Sequence, residues 1–193
     1  YGITDIGMQR KENQDRIYMP EINDDTKLFI VADGMGGANA GGVASSMAIE
    51  YVKQLILEKF DEVKEDRILL QDLIKDAIVG ANKYIYEKSL ENEQYSGMGT
   101  TIVVAIVYKG KVFIGHVGDS RIYRIRKHII RQLTKDHSYV QILLQNGTIT
   151  REEAFALLKK YNKDPFHIQH ALTVEAVMKW YAKELGYAAE ATH

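Results

Sequence analysis

Asp33 is the residue whose setting most plainly allows chemistry. It follows the apolar run Leu28-Phe29-Ile30-Val31-Ala32 and precedes Gly34-Met35-Gly36-Gly37. A short run rich in β-branched and aromatic residues predicts a buried strand, here one that ends on a carboxylate. A carboxylate at a strand end is held rigidly, and Gly34 lets the backbone turn so that its carbonyl can face the same ligand. Carboxylate and carbonyl oxygens are hard donors, suited to Mg²⁺ or Mn²⁺ rather than Zn²⁺. The plainer alternative is a glycine turn with a capping Asp, and Asp33-Gly34-x-Gly36-Gly37 taken alone favours it. Upstream, Arg10-Lys11-Glu12-Asn13-Gln14-Asp15-Arg16 is either a solvated turn or a loop presenting Arg10 to an anion and Asp15 to a cation.

The elements that must position these groups follow from periodicity. Gly2-Ile3-Thr4-Asp5-Ile6-Gly7 alternates and predicts an opening strand, and the charged segment from Glu21 to Lys27 predicts a hairpin connection into the central strand. Val43, Ala44, Met47, Ala48, Tyr51, Val52, Leu55 and Ile56 recur at helical spacing, and Ala40-Gly41-Gly42 lets that helix start close against a neighbour. A second helix is marked by Leu70, Leu73, Ile74, Ala77, Ile78, Ala81, Tyr84 and Ile85. Thr100 to Tyr108 is a β-branched strand, Lys109-Gly110 a hairpin turn, and Lys111 to Val117 its partner. Arg121 to Arg126 and Ile129 to Leu133 form a further hairpin. Next come a helix with Val140, Leu143 and Leu144 inward, ended by Asn146-Gly147, and a short helix opened by the capping box Thr150-x-x-Glu153. Asp164-Pro165 breaks the pattern, and a final helix carries Val174, Val177, Met178, Tyr181 and Leu185 on one face. Strands following helices in this way argue for an α+β fold with antiparallel sheets.

The composition narrows the chemistry. The 193 residues suffice for one domain with a substantial core, and 46% hydrophobic with 26% charged residues is the balance of a globular protein. A net charge of −1 gives no general attraction to nucleic acid or an anionic membrane surface. No apolar run approaches the ~20 residues of a membrane span, and nothing resembles a signal peptide. The absence of cysteine excludes disulfides, zinc–thiolate sites and thiol nucleophiles, and it fits a reducing compartment. A cytoplasmic location, with no nucleic-acid or membrane partner, is the expectation. The chain starts on Tyr1 rather than Met, and its first residues already read as structured domain, so residues upstream are expected.

Five signatures occur in order: Arg10-x-x-Asn13-Gln14-Asp15, Asp33-Gly34-x-Gly36-Gly37, Gly99-Thr100-Thr101, Val117-Gly118-Asp119-Ser120-Arg121 and Leu133-Thr134-x-Asp136-His137-Ser138. Each is weak alone; together, over residues 1–158, they resemble the bacterial metal-dependent serine/threonine protein phosphatases of the type 2C class. The resemblance implies a β-sandwich flanked by helix pairs and hydrolysis of phosphoserine and phosphothreonine proteins by a water bridging two Mn²⁺ or Mg²⁺ ions. It further implies that Asp33 bridges the metals, Gly34 contributes its carbonyl, Arg10 binds the phosphate, and Asp15 lies beside the metals holding coordinated water. Asp119 would help hold a third, weaker ion. Serine/threonine kinases and their targets are the partners it suggests. For several of these residues an ordinary structural role stays open: a β-turn Asp for Asp119, an ion pair for Arg121, helix capping for Asp136 and His137, and packing near the metal loop for Gly99-Thr100-Thr101. His116 is expected to be packed or exposed within a strand rather than catalytic.

The resemblance also has gaps. The family carries two later aspartates, in Ser-Asp-Gly and Asp-Asn segments, and neither segment follows Ser138. The expectation is therefore a type 2C domain over 1–160, incomplete on its C-terminal side, joined to a helical tail over 161–193. In that tail, Asp164 to Glu175 resembles the opening helix of an HD-type phosphohydrolase, with His170 at the first metal-ligand position, but the His-Asp pair of that family is missing. Two alternatives to a phosphatase follow: a catalytically incomplete module that binds phosphoproteins through Arg10, and an HD-type phosphohydrolase fragment.

Overall fold

The computed structural model describes residues 1–8, 10–23, 26–36, 40–127, 129–161, 168–169, 180 and 188–189. The described chain divides into two compact units, residues 1–120 and 121–193.

The first unit is built on strand β3, Thr26–Met35, whose side chains alternate between buried and more accessible. Thr26, Leu28, Ile30, Ala32 and Gly34 point into the core, while Val31, Asp33 and Met35 are exposed. Period-two alternation of this kind belongs to a sheet with one face packed. Around β3 the sheet runs in the order β1 (Asp15–Tyr18), β3, β5 (Ile102–Tyr108), β6 (Lys111–Val117), with β2 (Glu21–Asn23) and β4 (Gly99–Thr100) as short additional partners of β3. Every pairing in it is antiparallel. The hairpin between β5 and β6 turns on Lys109 and Gly110, whose φ values of 48° and 71° match the twist of the flanking strands.

The buried face is covered by α1 (Ala40–Lys64) and α2 (Leu70–Glu91). Ala44, Ala48, Val52 and Ile56 of α1 and Leu73, Ile74, Ala77 and Ala81 of α2 are essentially inaccessible, joining Leu28, Ile30, Val104 and Ile106 in one apolar cluster. Both predicted helical stripes are core faces. Tyr51 and Tyr84 stack between the helices with ring centroids 5.6 Å apart. Gly115 lets α2 approach β6, because a Cβ there would run into Ile74 and Ile78.

The second unit holds the hairpin of β7 (Tyr123–Arg126) and β8 (Ile129–Gln132), with β9 (Ala188–Ala189) parallel to β8. It also holds α3 (Tyr139–Gln145) and α4 (Arg151–Tyr161). The capping box forms as expected: Thr150 N–H donates to Glu153 Oε2 at 2.7 Å, and Glu153 N–H donates to Thr150 Oγ1 at 3.2 Å. No helix among the described residues is long and apolar enough to cross a membrane.

Several expectations are corrected. Residues 2–6 form no strand; they are exposed and held by side-chain contacts, Gly7 N–H to Asp5 Oδ1 at 2.7 Å and Asn13 Nδ2–H to Thr4 Oγ1 at 2.8 Å. Alternation predicts a strand only where a ladder partner exists. β3 does not end on Asp33 but continues to Met35, because β4 supplies partners for Gly34 and Met35. α3 buries no residue, and Val140 is 40% exposed. His170, the Asp164-Pro165 break and the face of Val174, Val177, Met178, Tyr181 and Leu185 lie outside the described residues.

Candidate metal centre

Asp15 and Asp33 are directly opposite each other in the antiparallel ladder of β1 and β3. Opposed residues put their side chains on the same face with Cβ atoms about 5 Å apart. That face is the one turned away from the helices, where Asp33 is accessible to solvent. Two carboxylates are thus built into adjacent strands, whose backbone cannot easily move to separate them.

The backbone around the pair is fastened on both sides. Gly34 N–H donates to Gln14 O at 3.2 Å, and the buried Ser45 of α1 donates its hydroxyl to the same carbonyl at 2.6 Å. Arg16 donates from Nη1 to Asn13 O and Asp15 O, at 2.7 and 2.8 Å, and from Nε to Ser46 Oγ at 3.2 Å. Asn13 Oδ1 accepts from Asp15 N–H at 3.0 Å. The carbonyls of residues 13–15 are therefore pinned to the start of α1. That helix comes so close because Gly34 and Gly41 are in backbone contact: a Cβ on Gly34 would fall on the Gly41 carbonyl. The Ala40-Gly41-Gly42 start does what its composition predicts.

On the other side, Thr100 and Thr101 hold the peptide groups of Asp33. Thr101 N–H and Thr100 Oγ1–H both donate to Asp33 O at 2.9 Å, and Asp33 N–H donates to Thr101 Oγ1 at 3.1 Å. The Gly99-Thr100-Thr101 signature is structural, beside the acidic loop, as anticipated.

The electrostatics mark Asp33 as the focus. Its pKa is raised from 3.8 to about 6, first by partial loss of water around the carboxyl, then by the Asp15 charge and a hydrogen bond to Asp15. Arg10 opposes the rise and Asp119 adds to it. The fold therefore gathers Arg10, Asp15, Asp33 and Asp119, named from the sequence, into one electrostatic neighbourhood. Facing carboxylates, one of them reluctant to ionise, are a donor set that a hard divalent cation would satisfy. Among the described residues no group of three or more His, Cys, Asp or Glu side chains is gathered tightly enough to enclose an ion.

Asp119 lies in the bend after β6 that Gly118, at φ +103°, makes possible. Arg121 takes the ion-pair role left open for it: it grips Asp136 in bidentate fashion, Nε to Oδ1 at 2.9 Å and Nη2 to Oδ2 at 2.6 Å, which raises the guanidinium pKa above its usual value. Asp136 is thus not a cap; Ser138 caps α3, accepting from Gln141 N–H at 3.1 Å. His116 is half-buried in β6, opposite Val103. Sequence reasoning missed Arg16, Ser45 and Ser120. Each sits within or beside a recognised signature or glycine run, but nothing in residue type alone reveals a bond to a particular distant carbonyl.

An acidic pair on the outer face of an antiparallel sheet, backed by two long helices, defines a class of site that comparison makes specific. The model of the family described as protein phosphatase 2C matches residues 8–181, and the chain belongs to that family. It is 40% identical over 151 residues to the serine/threonine phosphatase stp of Listeria monocytogenes, covering 78% of this chain and 59% of that protein. The solved serine/threonine phosphatase of S. agalactiae is 40% identical with a TM-score of 0.67, over 78% of this chain and 61% of its own. The catalytic domain of the phosphatase PstP, solved in complex with two manganese ions, is 32% identical with a TM-score of 0.61, over 77% of this chain and 60% of its own. The α+β fold is that of the family. The chain spans about 59% of the length of the Listeria relative.

Proposed function

We propose that this chain carries out metal-dependent dephosphorylation of phosphoserine and phosphothreonine proteins, with Asp15 and Asp33 as the core of its metal site. The observation that carries this reading is the in-register opposition of the two carboxylates, with Asp33 raised to about 6. Like charges set this close on a rigid ladder are unfavourable unless a cation lies between them. Mn²⁺ or Mg²⁺ is the cofactor the oxygen donors suit, and the manganese-bound PstP relative supports Mn²⁺.

In this reading Asp33 and the Gly34 backbone carbonyl would hold the ions, Asp15 would lie beside them and hold coordinated water, and Asp119 would help hold a further, weaker ion. When bound, the ions supply an acidified water at neutral pH and offset charge on the phosphoryl oxygens. Arg10, whose charge already reaches Asp33, holds the substrate phosphate with a planar fork that a lysine could not reproduce. No protein nucleophile is required, in keeping with a chain that has no cysteine.

The names of the relatives support phosphoprotein substrates. A serine/threonine kinase and its targets are the partners proposed, in a cytoplasmic signalling role. The domain division proposed is 1–160 for the phosphatase domain and 161–193 for a tail, although the family match itself continues to residue 181.

The test is phosphate release from a phosphothreonine peptide with Mn²⁺ or with EDTA, beside Asp33→Asn. Turnover that requires Mn²⁺ and disappears in the variant is expected. Peptide binding without turnover would instead favour a phosphoprotein-binding module.

A further inference from the structure

Thr101 is 3% exposed, and it joins two parts of the acidic site that are far apart in sequence. Its hydroxyl oxygen accepts the Asp33 N–H at 3.1 Å and shares a second hydrogen bond with Ser120 Oγ at 2.7 Å. Its own N–H returns to Asp33 O at 2.9 Å, so the two residues are bonded in both directions. The bend carrying Asp119 rests on the same side chain: a Cβ on Gly118 would lie 2.7 Å from Thr101 Cγ2. Thr101 also falls in the one-residue break between β4 and β5, which releases it from regular pairing to make these contacts.

We infer that Thr101 is a positioning residue whose hydroxyl locks the Asp33 backbone to the Ser120 end of the Asp119 bend, fixing the spacing of the two carboxylates for metal binding. This rests on the metal reading of the site given above. A hydroxyl has one proton and two lone pairs, enough to accept from Asp33 and to bond Ser120 at once. Valine has the same shape and neither capacity. It leaves a sheltered Asp33 N–H with no acceptor and releases Ser120. Outer contacts that orient ligands typically change metal affinity by about ten- to a hundredfold.

The experiment is calorimetric titration of the 193-residue chain with Mn²⁺, comparing wild type, Thr101→Val, Thr101→Ser and Ser120→Ala, each first checked for native far-ultraviolet circular dichroism. Thr101→Val should bind Mn²⁺ about tenfold more weakly, Thr101→Ser should return to the wild-type isotherm, and Ser120→Ala should show a smaller loss. Wild-type binding by Thr101→Val overturns the inference and leaves the metal site standing. A Thr101→Ser protein as weak as the valine variant also overturns it, because the methyl group and not the hydroxyl would then matter. Should the valine variant not fold, an unchanged isotherm for Ser120→Ala is the overturning result. Absence of Mn²⁺ binding by wild type overturns the metal reading and this inference with it.

Discussion

Two carboxylates opposed across a β-ladder repel each other, and the chain has arranged for neither to move away. Asp33 answers by holding its proton to about pH 6, where an ordinary aspartate has released it near 3.8. The unfolded chain gives up that proton first, so between these values the native state binds more protons than the unfolded one. The contribution of this group to stability is full below the lower value and is lost as pH rises through about 6. The metal-free protein is therefore expected to melt at lower temperature as pH is raised across this window, and Mn²⁺ is expected to reverse the fall, which differential scanning calorimetry with and without EDTA would register. Arg10 lies beside this pair with an exposed side chain. Arg10→Lys keeps the charge but loses the fork, and KM for a phosphopeptide should rise by about tenfold with a smaller change in kcat. An unchanged KM would remove Arg10 from phosphate binding.

At the scale of elements, the site depends on how near α1 comes to the end of β3. That approach is a backbone-to-backbone contact between Gly34 and Gly41, reinforced by Ser45 and Arg16 on the carbonyls of residues 13–15. Gly34→Ala forces the two elements apart and should cost about 3 kcal/mol, read as a lower urea midpoint with an unchanged slope. Much of this was legible in the sequence. The stripes of α1 and α2, the Lys109-Gly110 turn and the Thr150–Glu153 box are local patterns, and local patterns are what a single sequence encodes. The glycines before α1 announced a close approach without naming the neighbour. The opening strand at Gly2–Gly7 failed for the converse reason: alternation was present and the ladder partner was not. The extension of β3 past Asp33 depends on β4, more than sixty residues away in the chain, and no local signal carries it. From the sequence Thr101 shows only a packing role, because its hydroxyl partners, Asp33 and Ser120, meet only in the folded sheet.

At the scale of the whole molecule, Arg10, Asp15, Asp33 and Asp119 all belong to the first compact unit, residues 1–120, and the second unit has stabilising contacts of its own. Chief among these is Arg121 with Asp136, whose side chains are 39% and 11% exposed. Allowing for solvent screening at the arginine, Asp136→Ala should destabilise the second unit by about 1 kcal/mol. Proteolytic susceptibility of residues 121–161 should rise while Mn²⁺ binding is retained. Loss of Mn²⁺ binding in that variant would mean that the second unit contributes to the metal site after all.

Whether the facing carboxylates Asp15 and Asp33 hold a divalent cation decides what this site is. Mn²⁺ binding to the 193-residue chain, followed by electron paramagnetic resonance of the free ion, answers that without any assumption about substrate. Saturable binding at about pH 7.5 that weakens sharply by about pH 5, as Asp33 retains its proton, is the predicted result. Asp33→Asn should abolish it at both. Binding undiminished in Asp33→Asn, or none in the wild type, would contradict the assignment of this pair as the metal centre.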